Sequence, residues 1–138
     1  MTTRIEELEA DAEWDDAVPI LRQLWTDADP DWIRSWRDED GYRLFGIDAD
    51  EALVGVAGVS IQRVLHHARH AWIHDFVVDE DRRGEGHGAE LLAFVEEWAR
   101  EQGCEYVALA LRDGNDDARR FYEREGLERW GEVIETEL

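Results

Sequence analysis

The sequence predicts a single-domain α/β fold, with a mixed, mostly antiparallel central sheet of about six to seven strands flanked by about four helices. Three observations carry this expectation. Two runs rich in apolar and small residues, Tyr42 to Asp48 and Ala52 to Val64, flank a short acidic turn and read as a hairpin. A strand-like run from Ala71 to Val78 passes through a glycine-rich loop into a helix-like segment and then a second apolar run, Tyr106 to Leu111. That order favours a parallel strand pair joined by a right-handed crossover. A chain of 138 residues can bury one core and is too short for two ordinary ones, so residues 1–138 are expected to form one domain.

The remaining elements follow in order. Residues 3 to 9 alternate weakly and predict a first strand. Trp14, Val18, Leu21 and Trp25 recur at three- and four-residue spacing, predicting an amphipathic helix from Asp11 to Trp25 with Pro19 as a local irregularity. Asp29-Pro30 opens a second, short helix, with Trp32, Ile33 and Trp36 on one face. After the glycine loop, Leu91, Leu92, Val95, Trp98 and Ala99 form the buried stripe of a third helix that Gly103 ends. Asn115 or Asp116 caps a fourth, Asp117 to Glu125, closed by Gly126. The tail, Leu127 to Trp130 and Val133 to Leu138, predicts two final strands.

Charge narrows the class of function. Thirty-five acidic residues oppose 15 basic ones, a net of −20, and every basic residue is arginine. Self-repulsion at that density is tolerable where salt shortens the Debye length to about 3 Å near 1 M, a composition that resembles proteins of salt-loving cells. Seven Trp, three Tyr and four Phe argue against an acidic disordered chain. Nucleic acid is not expected as a partner, because phosphate contacts need a basic face. The absence of lysine excludes a P-loop. No apolar stretch is long enough for a membrane span or an export signal, so no membrane partner is expected and the predicted location is cytoplasmic. Cys104 is alone, which excludes an internal disulfide, and it reads as a packing residue.

The loop Arg82-Arg83-Gly84-Glu85-Gly86-His87-Gly88-Ala89 carries the chemistry. Its alternate glycines remove Cβ atoms that would hold a ligand away, and the following helix aims unpaired N–H groups at the same place, a site for phosphate oxygens. A tight strand-to-helix turn without a ligand has the same signature, so context decides. Gly84-x-Gly86-x-x-Ala89 also satisfies a relaxed dinucleotide-binding fingerprint. That fold needs several further strand-helix units, and only 49 residues follow Ala89.

The segment Ile73 to Leu92 resembles the acetyl-CoA-binding core of the GNAT family of N-acetyltransferases, whose Arg/Gln-x-x-Gly-x-Gly/Ala pattern falls on Arg83, Gly86 and Gly88. A second match follows: Asn115, Ala118, Phe121, Tyr122 and Gly126 fit the family's Asn-x-x-Ala-x-x-Phe-Tyr-x-x-x-Gly-Phe block, with Leu127 in place of the final Phe. The resemblance implies transfer of acetyl from acetyl-CoA to an amine, with no metal. It also implies that the fourth and fifth strands splay apart, so that the cofactor's pantetheine arm pairs with the backbone of Phe76, Val77 and Val78. Arg83, Gly84, Glu85, Gly86, His87, Gly88 and Ala89 would then cradle the pyrophosphate, and Asn115 would lie beside the pantetheine. A non-catalytic acyl-CoA sensor of the same fold is the alternative. Dimerisation is common in the family, which adds a homodimer to the assemblies to be expected.

Acyl transfer to an amine needs a neutral nucleophile, oxyanion stabilisation and a proton for the departing thiolate. The resemblance gives the last role to Tyr122. For the base, family members use a fourth-strand carboxylate at positions held here by Trp72 and His74, and a fifth-strand glutamate where this chain has Ala110. His74 can accept a proton near neutrality. Ordered water is the alternative, and Asp75 should face away unless a bulge shifts the register. His66, His67, His70 and His74 do not make a metal site: on a strand, residues four apart are separated by about 13 Å. Trp25, Trp32, Trp36 and Tyr42 either line an acceptor pocket or close the core.

Overall fold

The computed structural model describes residues 2–138, which divide into two compact units, one ending at Ala108 and the other running from Leu109 to Leu138. The elements are β1 (Thr3–Glu7), α1 (Asp11–Leu24), α2 (Pro30–Ser35), β2 (Arg43–Ala49), β3 (Ala52–Val64), β4 (Ala68–Val78), α3 (His87–Glu101), β5 (Tyr106–Leu109) and α4 (Asp116–Arg124). Short 3-10 turns cover Trp36–Asp38 and Glu80–Arg82.

One five-stranded sheet runs in the order β1-β2-β3-β4-β5. The first three pairings are antiparallel. β5 starts beside the start of β4, where the Glu105 N–H donates to the Arg69 carbonyl at 2.8 Å, and the two strands run parallel. The β2–β3 hairpin turns on Asp50 and Glu51, both at positive φ, which is what a two-residue turn matching the strand twist requires.

The expected sheet of six to seven strands is corrected to five. Residues 127–138 form no strand, and Trp130, Val133, Ile134 and Leu138 are exposed. A short run of strand-forming length is not enough to make a strand, which also needs a neighbour to pair with. Among the described residues no helix is long and apolar enough to cross a membrane.

Period-two alternation divides the apolar residues of the first unit between two layers. Leu44, Val56 and Val77 point to one face and pack with Trp14, Ala17, Val18, Ile20 and Leu21 of α1 and Ile33 of α2. Phe45 points to the other, where its ring meets Phe94 and Trp98 of α3 at 5.5 and 5.1 Å between centroids. Leu91, Leu92 and Val95 complete that second layer, each contributing about 1.5–3 kcal/mol by burial. Pro19 is accommodated on the exposed side of α1. Cys104 is half-buried, and desolvation pushes its thiol above the usual range, which makes it a poor nucleophile.

Candidate active site

Two places in the first unit concentrate the chemistry. The first is the turn from β4 into α3. Gly84 and Gly86 sit at φ +81° and +88°, a conformation costly for any residue with a Cβ, and a Cβ built on either would meet nothing within 4 Å. The glycines are therefore required by backbone geometry, and they border open space. Gly86 is the N-cap of α3, and no side chain caps that terminus, whereas Asp29 caps α2, Asn115 caps α4, and Glu13 accepts from the Ala10 N–H at α1. The first-turn N–H groups at His87, Gly88 and Ala89 are left for something else.

Side chains around this turn are already engaged. Arg82 binds Glu85 through Nε and Nη2 at 3.1–3.3 Å, which holds the Glu85 carboxyl below its ordinary range, and Glu85 also meets Nε2 of His87 at 3.1 Å. His87 is only 2% exposed, and its side chain lies in the interior. Arg83 Nε donates to the Val78 carbonyl at 3.1 Å. Phe76, Val77 and Val78 pair on one side with Ala57, Val56 and Gly55 of β3. On the other, β5 begins level with Arg69 and is only four residues long, so its ladder stops before reaching them.

The second place is a bulge in β4. Gly58 of β3 pairs with Asp75 and Val59 with Ile73, leaving His74 as the extra residue. A bulge turns two successive side chains to one face. Asp75, expected to point away from His74, is thereby brought round: its carboxylate accepts from the Tyr42 hydroxyl at 2.6 Å and from the Trp25 indole N–H at 2.5 Å. The Tyr42 ring lies 5.9 Å from that of His74. Gly58 makes room for this, since a Cβ there would come within 1.8 Å of the Tyr42 oxygen and 2.9 Å of an Asp75 oxygen. Burial, then the charge of Asp75, drives the Tyr42 phenol far above its ordinary value, so it remains a donor. His74 Nε2 meets Ser60 Oγ at 2.6 Å, and desolvation lowers its imidazole pKa, partly offset by the Asp75 charge.

The aromatic residues separate by role. Trp14 is core. Trp36 links Tyr42 at 5.4 Å to Trp32 at 5.9 Å, and Trp25 and Trp32 are exposed, so those two do not close the core. A cavity of about 290 Å3 is walled by Tyr42, Trp14, Leu44, Arg37 and Glu7 among others. The His67 ring meets those of His66 and Tyr106 edge-on and that of His70 at a tilt, and no group of three or more His, Cys, Asp or Glu among the described residues could hold a metal ion.

In the second unit, Asn115 accepts from the Ala118 N–H at 3.2 Å as N-cap of α4. Tyr122 is half-buried with Phe121 at 5.1 Å, and burial pushes its phenol up to about 12. Reasoning from sequence missed Ser60, Gly58 and the Trp25–Asp75 contact. An isolated glycine inside a strand-like run was the one available signal, since it marks a bulge or a close approach.

Comparison with known proteins agrees with this architecture. The profile of the acetyltransferase (GNAT) family matches residues 5–127. The chain belongs to that family. It is 28% identical over 138 residues to the uncharacterized N-acetyltransferase YhdJ of Bacillus subtilis, covering 97% of this chain and 94% of that protein. It is 40% identical over 80 residues to the aminoalkylphosphonate N-acetyltransferase of Salmonella typhimurium, covering 56% and 51% of the two chains. Among solved structures, the aminoglycoside N-acetyltransferase AAC(6')-Iy in complex with CoA superposes with a TM-score of 0.89 over 99% of this chain and 95% of that one, at 20% identity, a likeness of fold. The GNAT protein described here is an acetyltransferase, and the reaction is acetyl transfer to an amine.

Proposed function

We propose that this GNAT protein takes acetyl from acetyl-CoA and passes it directly to a primary amine, of a small molecule or a peptide, with residues 1–138 acting as one N-acetyltransferase domain. The observation that carries the choice of donor is the uncapped N-terminus of α3 behind two positive-φ glycines facing open space. Aligned N–H groups and the positive end of a helix dipole suit a pyrophosphate, and AAC(6')-Iy, which shares the fold, is described in complex with CoA. Acetyl-CoA supplies an activated acyl group when bound. The chain holds its phosphates on the backbone of Arg83 to Ala89 and its arm along Phe76, Val77 and Val78, with Asn115 beside it. His74 takes the proton of the reacting amine, Ser60 orients the imidazole, and Tyr122 offers its hydroxyl to the departing sulfur.

The test is release of free thiol from acetyl-CoA with individual amines in molar potassium chloride, with mass spectrometry of the product. Release that depends on the amine and yields an N-acetyl product is the expected result; binding without release from any amine or peptide would overturn the reading. The salt matters because the net charge of −20 and the absence of lysine support a salt-loving cytoplasm as the setting, and the homodimer that the family resemblance suggests is an assembly to test in the same salt.

Two predictions arise at this site. The lowered pKa of His74 places the acid limb of kcat below the ordinary histidine value of 6.5. As pH falls through that limb the imidazole takes up its proton and can no longer accept one, so activity falls toward acid and is flat near neutrality. His74→Gln should remove this limb from the profile; an unchanged limb would assign it elsewhere. Glu85→Gln releases Arg82 and deletes one negative charge from the turn. Acetyl-CoA should then bind about threefold more tightly at low salt, and the gain should vanish in molar salt, as read by calorimetry.

A further inference from the structure

The bulge in β4 places two chemically different groups side by side on one face. His74 is an imidazole held toward its neutral form, with Ser60 on its Nε2. Asp75 is a half-buried carboxylate whose hydrogen-bond partners, the Trp25 indole N–H and the Tyr42 hydroxyl, are both neutral donors. No Arg or His forms a salt bridge with it among the described residues. Each carboxylate oxygen carries a second lone pair, so both can accept once more. Around it stand Trp25, which is exposed, and Tyr42, whose ring continues through Trp36 to Trp32. A half-buried carboxylate held by two neutral donors, with unused lone pairs and aromatic side chains beside it, favours an organic ammonium ion by charge.

We propose that Asp75, with Trp25 and Tyr42, holds a second, non-reacting ammonium group of the acceptor while the reacting amine lies at His74, which makes the acceptor a short diamine. The proposal rests on the acetyl-transfer reading above. The Tyr42 side chain meets both groups, its hydroxyl 2.6 Å from Asp75 and its ring 5.9 Å from that of His74, so a spacer of a few methylenes spans them. Asp75 is a specificity residue: it fixes one end of the acceptor and has no part in proton transfer. Keeping recognition and deprotonation on separate side chains avoids stabilising the protonated form of the nitrogen that must attack.

The experiment compares butane-1,4-diamine with n-butylamine at constant ionic strength, in the wild type, Asp75→Asn and Asp75→Glu. Asparagine retains a carbonyl for the Trp25 N–H, and a thermal melt confirms the fold of each variant. The wild type should prefer the diamine in kcat/KM by about 30-fold, carried by KM; Asp75→Asn should bring that ratio close to one, and Asp75→Glu should restore part of it. Independently, the Trp25 indole N–H resonance, assigned with Trp25→Phe, should shift as the diamine is titrated and stay still with butanol. A wild type that does not prefer the diamine, or a preference that survives Asp75→Asn, overturns the proposal. If no amine is acetylated yet the resonance moves with the diamine, the cation site stands and the acetyl-transfer reading fails. No turnover and no movement overturns the site as well.

Discussion

Replacing Tyr122 by phenylalanine should lower kcat by about 10²- to 10³-fold while leaving the fold and the affinity for acetyl-CoA nearly unchanged. Burial pushes the phenol up to about 12, so it carries its proton throughout the physiological range. A thiol ionises near 8.5, which makes full transfer from such a phenol to a thiolate uphill. The role assigned to Tyr122 is therefore a hydrogen bond to negative charge as it develops on sulfur, a contribution made in the transition state and absent from the ground state. Loss should appear in kcat and kcat/KM alike, with the calorimetric Kd for acetyl-CoA within a few-fold of wild type. A variant retaining a third or more of the wild-type kcat would remove Tyr122 from the chemistry and leave it as a packing residue beside Phe121.

The second large effect is expected at Gly58, which touches no reacting group. A valine there must displace the Tyr42 ring, whose hydroxyl lies 1.8 Å from the position of the new Cβ, and with it the hydrogen bond to Asp75. Overpacking a well-filled site costs about 1–3 kcal/mol, and loss of a hydrogen bond to a charged group about 1.5–3 kcal/mol. A fall in Tm on the order of 10 °C should result. Activity should fall through KM for the amine, because the site on the β4 bulge is dismantled, while acetyl-CoA affinity is retained, since the glycine turn before α3 is untouched. Adding Tyr42→Phe to Gly58→Val should cost little more than Gly58→Val alone, because the first substitution has already broken the contact. Full additivity would show that the two residues do not act through one another.

Where sequence reasoning succeeded, the controlling physics was local. A glycine at positive φ, a proline at the first position of α2, an asparagine at the cap of α4 and a 3.6-residue apolar stripe each act over a few residues. The starts and ends of α1 and α4 and the start of α2 followed from them to within a residue or two. The glycine turn was legible for the same reason. Reading failed where a distant partner decides. Two short tail strands were expected, and residues 127–138 form none, since a local run of residues does not create a pairing edge. The direction in which Asp75 points could be stated only conditionally, because a bulge is a mismatch between two strands and neither strand encodes it alone.

By itself, then, the sequence determined the family, the glycine turn before α3, the helices with their caps, and a charge suited to high salt, since composition and short-range backbone preference are properties of a chain in any conformation. Only the tertiary structure decided that His74 and Asp75 share one face, that Tyr42 reaches Asp75 from 33 residues away, and that Gly58 is the space making this contact possible. Those facts depend on the register between β3 and β4 and on the packing of the segment around Tyr42 over it, and register is set by the sum of many contacts across the sheet.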